Sequence, residues 1–203
     1  MSSKKVLIPA EQSSSDRYKL LSGLIVPRPI GWIGTVRTDG TFNLAPFSFF
    51  NLISTDPPIV IFSGGRRGDR PKDSVAFAEE SGEFTVNIVS EEVAEAMNVT
   101  SASFDSAVDE FAEARLTPVM GRVVSAPMVG ESPANLECRV IDAMDIGGES
   151  GSRLVFGEVV VVHVRDDILD GSRIDNDMLR AVGRMAGNTY INTRDRFELG
   201  RPG

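Results

Sequence analysis

The sequence contains few of the side chains that catalyse reactions or bind metal ions by themselves. Its 203 residues include one cysteine, Cys138, and one histidine, His163. A lone cysteine excludes an intrachain disulfide, and a structural zinc site usually needs four cysteine or histidine ligands. We therefore expect structural roles for both residues and no metal site.

The motifs of several common enzyme classes are also missing. No G-x-S-x-G stretch marks a nucleophilic serine, no G-x-x-x-x-G-K-[ST] stretch marks a P-loop, and no G-x-G-x-x-G stretch follows a predicted strand. The sequence therefore gives no support to triad hydrolysis, a P-loop or a Rossmann dinucleotide site. A protein with so few reactive side chains needs a cofactor that brings its own chemistry.

Positive charge and long apolar runs are scarce as well. Lysine and arginine total 21 against 29 acidic residues, and the net charge of −8 argues against a nucleic-acid partner. No apolar run approaches the ~20 residues that span a bilayer, and the N-terminal residues lack the apolar stretch of a signal peptide. Hydrophobic residues make up 41% and charged residues 25%, which is typical of a globular domain. The sequence thus predicts a cytoplasmic protein with no membrane partner.

The chain is predicted to form one domain. Residues 1–17 are polar and are interpreted as an N-terminal arm, while no linker or repeat divides residues 18–203. Apolar or alternating runs bounded by turn residues predict strands over 30–37, 41–54, 59–63, 83–90, 119–125, 134–145 and 154–165. Helices are predicted over 72–81, 90–99 and 176–182.

Turn and breaker residues refine this prediction. Asp39-Gly40 is a strong hairpin signal. Pro46 is predicted to interrupt the strand over 41–54, at a bulge or an exposed edge, because proline cannot donate a ladder hydrogen bond. The glycine- and arginine-rich residues 64–71 are predicted to form a loop. Since strands and helices do not alternate as βαβ units, we expect a mainly β fold, an antiparallel barrel with helices packed outside.

The clearest functional signal is a cluster of cations between Ser63 and Ser74. Within seven positions this otherwise acidic chain carries Arg66, Arg67, Arg70 and Lys72. Glycines in the same stretch allow backbone N–H groups to turn inward. Ser74 would lie in the first turn of the predicted helix, where unpaired N–H groups favour an anion. The cluster therefore indicates a phosphate-sized site, and an exposed charged loop is the alternative.

A second signal is the run from Asn43 to Phe50, which reads N-L-A-P-F-S-F-F. A small residue, a proline and a serine within a strand would form a bulge that exposes backbone donors and acceptors. A planar heteroaromatic ring could be held there by main-chain hydrogen bonds, with aromatic side chains nearby. The alternative is a twisted core strand whose phenylalanines only pack.

Several stretches of the chain match the sequence pattern of one known family. They are PRPIGWIGTVRTDG, FNLAPFSFFN, IVIFS, KDS and EFTVNIVS, followed by DEF at 109–111, LECR at 136–139 and GRMAGNTY at 183–190. Over residues 18–192 the chain resembles the flavin-reductase-like FMN-binding split-barrel proteins, in the branch of flavoredoxins and reductase components of flavin monooxygenases. The resemblance implies a six-stranded antiparallel Greek-key split barrel that dimerises and binds FMN in a groove at the dimer interface.

The resemblance also assigns residues to the flavin site. The flavin-gripping strand corresponds to 43–49, the strand-end serine and its loop to 63 and 66–70, and the triplet that opens the helix to 72–74. The implied cofactor-binding residues are Asn43, Ala45, Pro46, Phe47, Ser48, Phe49, Ser63, Arg66, Arg70, Lys72, Asp73 and Ser74. The chain departs from the family's usual arginine-leucine-glycine-glycine at 184–187, so less weight is placed on that segment. No catalytic residue is assigned.

The function implied by the resemblance is that of an FMN-dependent oxidoreductase, a flavin reductase that uses NADH or NADPH to reduce FMN. Such a reaction needs no general acid, which agrees with the scarcity of histidine. Two alternatives stay open: a non-catalytic FMN electron carrier between protein partners, and an FMN enzyme with its own organic substrate. The expected partners are a second copy of the chain and a monooxygenase or an electron-transfer protein.

Overall fold

The computed structural model describes residues 3–68, 70–148 and 151–202. Its α-helices are α1 (Ser14–Leu24), α2 (Asp73–Ser81), α3 (Ala94–Val99), α4 (Glu110–Glu113) and α5 (Asn176–Leu179). Its strands are β1 (Gly31–Val36), β2 (Phe42–Phe47), β3 (Phe50–Thr55), β4 (Pro58–Arg67), β5 (Arg70–Pro71), β6 (Glu83–Ile88), β7 (Pro118–Met120), β8 (Pro127–Val129), β9 (Ala134–Ile146), β10 (Ser152–Val164), β11 (Leu169–Asp170), β12 (Arg173–Ile174), β13 (Val182–Arg184) and β14 (Tyr190–Asn192).

One antiparallel sheet forms the body of the molecule. Its strands follow the order β2-β1-β6-β9-β10-β4-β3, and the short β5 pairs with β4. The two end strands, β2 and β3, are consecutive in sequence and are separated only by Ser48 and Phe49. At this bend the N–H of Ser63 on β4 donates to the carbonyl of Phe49 at 2.8 Å. The prediction of a mainly β, antiparallel fold with peripheral helices is therefore confirmed.

Smaller elements surround this sheet. The pairs β7–β8, β11–β12 and β13–β14 form short two-stranded ribbons. The long hairpin of β9 and β10 was predicted with nearly the observed bounds, because both strands are continuous β-type runs. Within the described ranges, no helix has the length and apolar character needed to cross a membrane.

The core consists of two apolar clusters. One surrounds Trp32, which is fully buried and donates its indole N–H to Thr100 Oγ1 at 2.9 Å. The other contains Phe62 and Phe84 from the sheet and Val75 from α2. Burial of each such side chain stabilises the fold by roughly 1.5–3 kcal/mol. This packing fixes α2 against the sheet and so fixes the position of its first residues.

The segment 64–71, predicted to be a loop, is a β-hairpin. β4 runs through most of it and turns back into β5, with Gly68 at a positive φ of 64°. Gly64 pairs with Arg153 on β10, and a Cβ at this glycine would lie 2.6 Å from Val75 Cγ2. The loop prediction was wrong because β10, distant in sequence, supplies the ladder hydrogen bonds that the glycine-rich pattern does not reveal.

The strand predicted over 41–54 is two strands, and the break does not lie at Pro46. Pro46 lies inside β2, opposite Trp32, and the strand ends after Phe47. β2 is an edge strand of the sheet, which is where a missing backbone donor is tolerated. The predicted edge is therefore confirmed, whereas the interruption falls two residues later, at Ser48 and Phe49.

The helix α1 was not predicted, and it begins inside the segment interpreted as a polar arm. Ser13 caps it, because its side-chain oxygen accepts the N–H of Asp16 at 3.1 Å. The capping signal is hard to recognise in the sequence, because a run of serines before an acidic residue resembles a disordered lead-in. The helix positions Tyr18 beside Phe49, with ring centroids 6.4 Å apart.

Two further boundaries differ from the prediction. The strand predicted over 119–125 is the shorter β7, and its partner β8 lies in a segment with no predicted element. The helix predicted over 176–182 ends with α5 at Leu179, because Arg180 adopts a positive φ of 49°. The chain then enters β13.

Candidate functional site

A cavity of about 450 Å³ opens where β2 bends into β3. The predicted flavin-site residues on the wall of this β2–β3 cavity are Pro46, Phe47, Ser48, Phe49, Ser63 and Lys72. The cavity is also lined by residues from distant parts of the chain, namely Ile30, Met97, Arg184 and Tyr190. The wall combines aromatic and apolar side chains with serines and with the cations Lys72 and Arg184, so a planar ring could both pack and form hydrogen bonds there.

A second cavity, of about 270 Å³, lies beside the N-terminus of α2. This α2 cavity shares Pro46, Phe47, Lys72 and Ser101 with the β2–β3 cavity, so the two adjoin. The further predicted residues on its wall are Asn43, Ala45, Arg66, Asp73 and Ser74. The structure therefore brings the strand motif and the cation motif together along one continuous surface.

Arg70 is the predicted site residue that lies apart from both cavities. Together with Arg37 and Asp105 it lines a separate cavity, which Asp73 also reaches. In the hairpin of β4 and β5, Arg66 lies opposite Pro71, so Arg70 belongs to the other face of the hairpin and lines a different cavity. The assignment of Arg70 to flavin stays a prediction, and the Arg67 side chain lies outside the described part of the structure.

The start of α2 supplies the donors of the α2 cavity. Lys72 is the N-cap residue, and its Nζ lies 5.7 Å from the centroid of the Phe47 ring. Ser74 lies in the first helical turn and is 2% exposed. The unpaired N–H groups of a helix N-terminus favour an anion, and a lysine beside them strengthens that preference.

A buried polar cluster underlies the α2 cavity. The Asn43 side-chain amide lies 2.8 Å from Ser74 Oγ and 3.2 Å from Thr35 Oγ1. In the amide orientation that satisfies every donor and acceptor, the oxygen accepts from both hydroxyls and the nitrogen donates to Glu110 Oε1 at 3.3 Å. Asn43 thus joins β1, β2, α2 and α4, and its main role at the site is to hold Ser74 and Glu110 in place.

Glu110 is a site residue that the sequence interpretation missed. It lines the α2 cavity and is 8% exposed, and its Oε2 accepts the N–H of Leu44 at 3.2 Å. Burial raises the pKa of its carboxyl to about 7, and the negative charges of Asp73 and Asp109 act in the same direction. The DEF stretch at 109–111 contributed to the resemblance, but no residue in it was assigned a role.

Arg28 is a second residue whose role the sequence did not reveal. Its guanidinium donates to the carbonyls of Ser22 at 2.6 Å, Ile25 at 2.8 Å and Met185 at 3.1 Å, and its Nε donates to Ser48 Oγ at 3.3 Å. Arg28 is 7% exposed, so these bonds compensate for burying its charge. The bend at Ser48 is therefore anchored to α1 and to the segment after β13.

The segment at 184–187, where the chain departs from the family's usual pattern, also contributes to the site. Arg184 lines the β2–β3 cavity, with its guanidinium carbon 4.6 Å from the centroid of the Tyr190 ring. It donates hydrogen bonds to the Tyr190 hydroxyl and to the Gly187 carbonyl. The segment therefore lies on the cavity wall although its sequence departs from the family's usual pattern.

The donor set of the two cavities fits a flavin mononucleotide. Lys72 and Arg66 offer the α2 cavity two cations for a phosphate group, and Arg66 also donates to Asp145 Oδ1 at 3.2 Å. The Ser74 hydroxyl lies on the same wall but donates to Asn43, so it serves a phosphate only by exchanging that bond. The β2–β3 cavity offers a planar ring the aromatic and apolar side chains of Phe47, Phe49 and Met97, together with polar groups that could hydrogen-bond to it. One group does not match a phosphate, namely the Glu110 carboxyl on the same wall as the cations.

Comparisons with known proteins bear on this arrangement. The model of the flavin reductase like domain matches residues 22–186. Component B of nitrilotriacetate monooxygenase from Bacillus cereus is 35% identical, with a TM-score of 0.95 over 98% of this chain and 100% of that chain. The 2-nitrobenzoate 2-nitroreductase NbaA from Pseudomonas fluorescens is 26% identical, with a TM-score of 0.89 over 98% of this chain and 96% of that chain.

A third structure concerns the fold alone. A protein from Shewanella frigidimarina described as having a split barrel domain is 22% identical, with a TM-score of 0.83 over 96% of each chain. The predicted split-barrel fold is thereby confirmed. Since the family model spans most of the chain, from the end of α1 to the segment after β13, this protein belongs to the flavin reductase like family.

Proposed function

We propose that the protein binds FMN across the two adjoining cavities and catalyses its reduction by NADH or NADPH. One observation carries this proposal. A cavity whose wall carries two cations adjoins a cavity whose wall carries aromatic and apolar side chains among its polar groups, and β2 lines both. That pairing matches a ligand with a phosphate at one end and a planar ring at the other.

Each part of the site has a distinct task in this proposal. The phosphate is bound by Lys72, Arg66 and Ser74. The ring is positioned by the backbone and side chains from Pro46 to Ser48. FMN supplies the redox chemistry when it is bound, so the protein contributes orientation and electrostatics. The scarcity of reactive side chains in the sequence agrees with that division.

The phosphate assignment is tested by Lys72→Ala, with Arg70→Ala as the matched variant from the same hairpin region. We expect Lys72→Ala to weaken FMN binding by about 1–3 kcal/mol, roughly 5- to 150-fold in Kd, because it removes a charged donor from the α2 cavity. Fluorescence titration with FMN measures the Kd of each variant. Unchanged affinity in Lys72→Ala would contradict the assignment, and unchanged affinity in Arg70→Ala would remove Arg70 from the site.

The destination of the reduced flavin is part of the same proposal. The similarity to component B of a nitrilotriacetate monooxygenase supports a partner monooxygenase as the protein that receives it. An electron carrier of the flavoredoxin type is the alternative, and it would bind FMN without oxidising NADH or NADPH. We also propose a cytoplasmic location, where both nicotinamide cofactors are available.

A homodimer is the proposed assembly. Several large apolar side chains of β3, β9 and β10 are exposed in the single chain. The exposed fraction is 54% for Leu52, 47% for Met144 and 56% for Val162. Exposed apolar surface on a folded domain is typical of a subunit interface. The molar mass in solution, measured by light scattering, should be twice that of one chain, and a monomer would contradict this part of the proposal.

A further inference from the structure

The α2 cavity contains an ionisable group that conflicts with a purely cationic site. Glu110 of α4 lines a wall that also carries Arg66 from β4, Lys72 at the N-cap of α2 and Asp73 in the first turn of α2. Asp109 precedes it at the N-cap of α4, and β2 presents no ionisable side chain to it. A phosphate that enters this cavity therefore meets a carboxyl group as well as two cations.

The position of the Glu110 carboxyl is fixed by hydrogen bonds. The Leu44 N–H donates to Oε2 at 3.2 Å, and the Asn43 amide nitrogen lies 3.3 Å from Oε1. Among the described residues, no lysine or arginine nitrogen lies within 4.0 Å of either carboxyl oxygen. Unlike most buried carboxylates, Glu110 thus lacks a compensating cation, and it cannot swing away from an incoming anion without breaking both bonds.

We propose that Glu110 takes up a proton when a phosphate monoester enters the α2 cavity, so that this residue makes the affinity for FMN depend on pH. The inference rests on the proposed function, because it concerns the phosphate end of the same site. A charged carboxylate and a phosphate dianion repel each other in so small a space. A neutral carboxyl removes that repulsion and can donate a hydrogen bond to a phosphate oxygen.

The direction of the pH dependence follows from the ionisation of the two groups. The pKa of about 7 for Glu110 means that the carboxyl is largely neutral at pH 6 and largely ionised at pH 8. A phosphate monoester loses its second proton near pH 6, so above pH 7 its charge is nearly constant. Affinity should therefore fall as pH rises above 7, by up to tenfold per pH unit for one linked proton.

The test compares FMN with riboflavin, which has the same ring but no phosphate. Fluorescence titrations between pH 6.5 and 8.5 measure both Kd values for the wild type, Glu110→Gln and Glu113→Gln. Glu113 is the matched control, because it lies on the same helix, is exposed and lies away from the cavity. Tris and HEPES replace phosphate buffer, since inorganic phosphate would compete.

We expect the wild-type Kd for FMN to rise about tenfold between pH 7.5 and 8.5, while the Kd for riboflavin changes less than about twofold. Glu110→Gln should bind FMN with little pH dependence, and Glu113→Gln should follow the wild type. A flat wild-type profile, an equal slope with riboflavin, or an unchanged slope in Glu110→Gln would overturn the inference.

A second measurement does not depend on any variant folding correctly. Calorimetric titration of the wild type at pH 8 in two buffers of different ionisation enthalpy counts the protons taken up on binding. We expect a value near one with FMN and near zero with riboflavin. No uptake with FMN, despite binding, would overturn this inference alone, whereas no binding of FMN at any pH would overturn the proposed function and this inference together.

Discussion

At the scale of single residues, Glu137 on β9 keeps a charged side chain inside the fold. Its fully buried carboxylate accepts the backbone N–H groups of Arg122 and Val123, each at 2.7 Å, and of Val124 at 2.9 Å. His163 Nε2 lies 2.5 Å from its Oε1. Burial alone would raise the pKa of Glu137, but these hydrogen bonds outweigh it and lower the pKa to about 2.

We expect Glu137→Gln to lower the free energy of unfolding by about 2 kcal/mol, because an amide group cannot accept all of these bonds and its NH₂ group faces backbone donors. Urea unfolding measures the change, with the exposed Glu95→Gln as control. Equal stability of Glu137→Gln and the wild type would contradict this role.

The same environment predicts a pH dependence of stability. The folded-state pKa of Glu137 is depressed below its ordinary value near 4.5, so its contribution is fully present above about pH 4.5. It is lost as the pH falls from there toward 2. The stability difference between the wild type and Glu137→Gln should therefore shrink over this acid range, and a constant difference would contradict the account.

At the scale of elements, Arg28 connects three segments that meet at the β2–β3 cavity. It bonds to the C-terminal end of α1 through the carbonyls of Ser22 and the capping residue Ile25, to the bend through Ser48 and to the segment after β13 through Met185. No other described side chain makes hydrogen bonds to all three. The bend therefore depends on Arg28 for its position, although Arg28 itself does not line that cavity.

We expect Arg28→Lys to preserve the fold but weaken FMN binding by about tenfold, because lysine keeps the charge but cannot reach four acceptors from one position. Fluorescence titration gives the Kd, and the near-ultraviolet circular dichroism spectrum reports whether the aromatic core is intact. As a control, Arg17→Lys changes an arginine of α1 that donates to Pro9 near the chain terminus. An intact spectrum with unchanged affinity would contradict the positioning role.

The elements also differ in how well the sequence predicted them. β1, β6, β9 and β10 were predicted because their residues alternate or form branched apolar runs, and that pattern is local. The extension of β4 through Gly64 and Gly65 was not predicted, because it depends on pairing with β10, almost ninety positions later in the sequence. Helix α1 was missed because its polar N-terminal residues gave no apolar periodicity.

At the scale of the whole molecule, the topology creates the site. β2 and α2 come from different parts of the chain, and packing of α2 on the sheet brings Lys72 to Phe47. The motifs at 43–49 and 72–74 could be read from the sequence, since each is contiguous. The roles of Glu110 and Arg184 could not be predicted in this way. Both residues lie 36 or more positions beyond the second motif, and only the folded chain brings them into the two cavities.

The electrostatic character of the molecule is equally uneven. The chain carries a net charge of −8, yet Arg66 and Lys72 lie together on the wall of the α2 cavity. Asp73 and Glu110 lie on the same wall, so the charge that an anionic ligand meets there depends on the ionisation of Glu110. We therefore expect a phosphate monoester to bind best at this cavity when Glu110 is neutral, as the proposed pH dependence requires.

The most direct test of the proposed function is the visible absorption spectrum of the purified protein, first with FMN and then with NADH or NADPH under anaerobic conditions. We expect flavin bands that bleach promptly on addition of a nicotinamide nucleotide. Bands that persist until dithionite is added would contradict the reductase activity and favour the electron carrier. A spectrum identical to that of free FMN, with no FMN retained on gel filtration or in fluorescence titration, would contradict the flavin site itself.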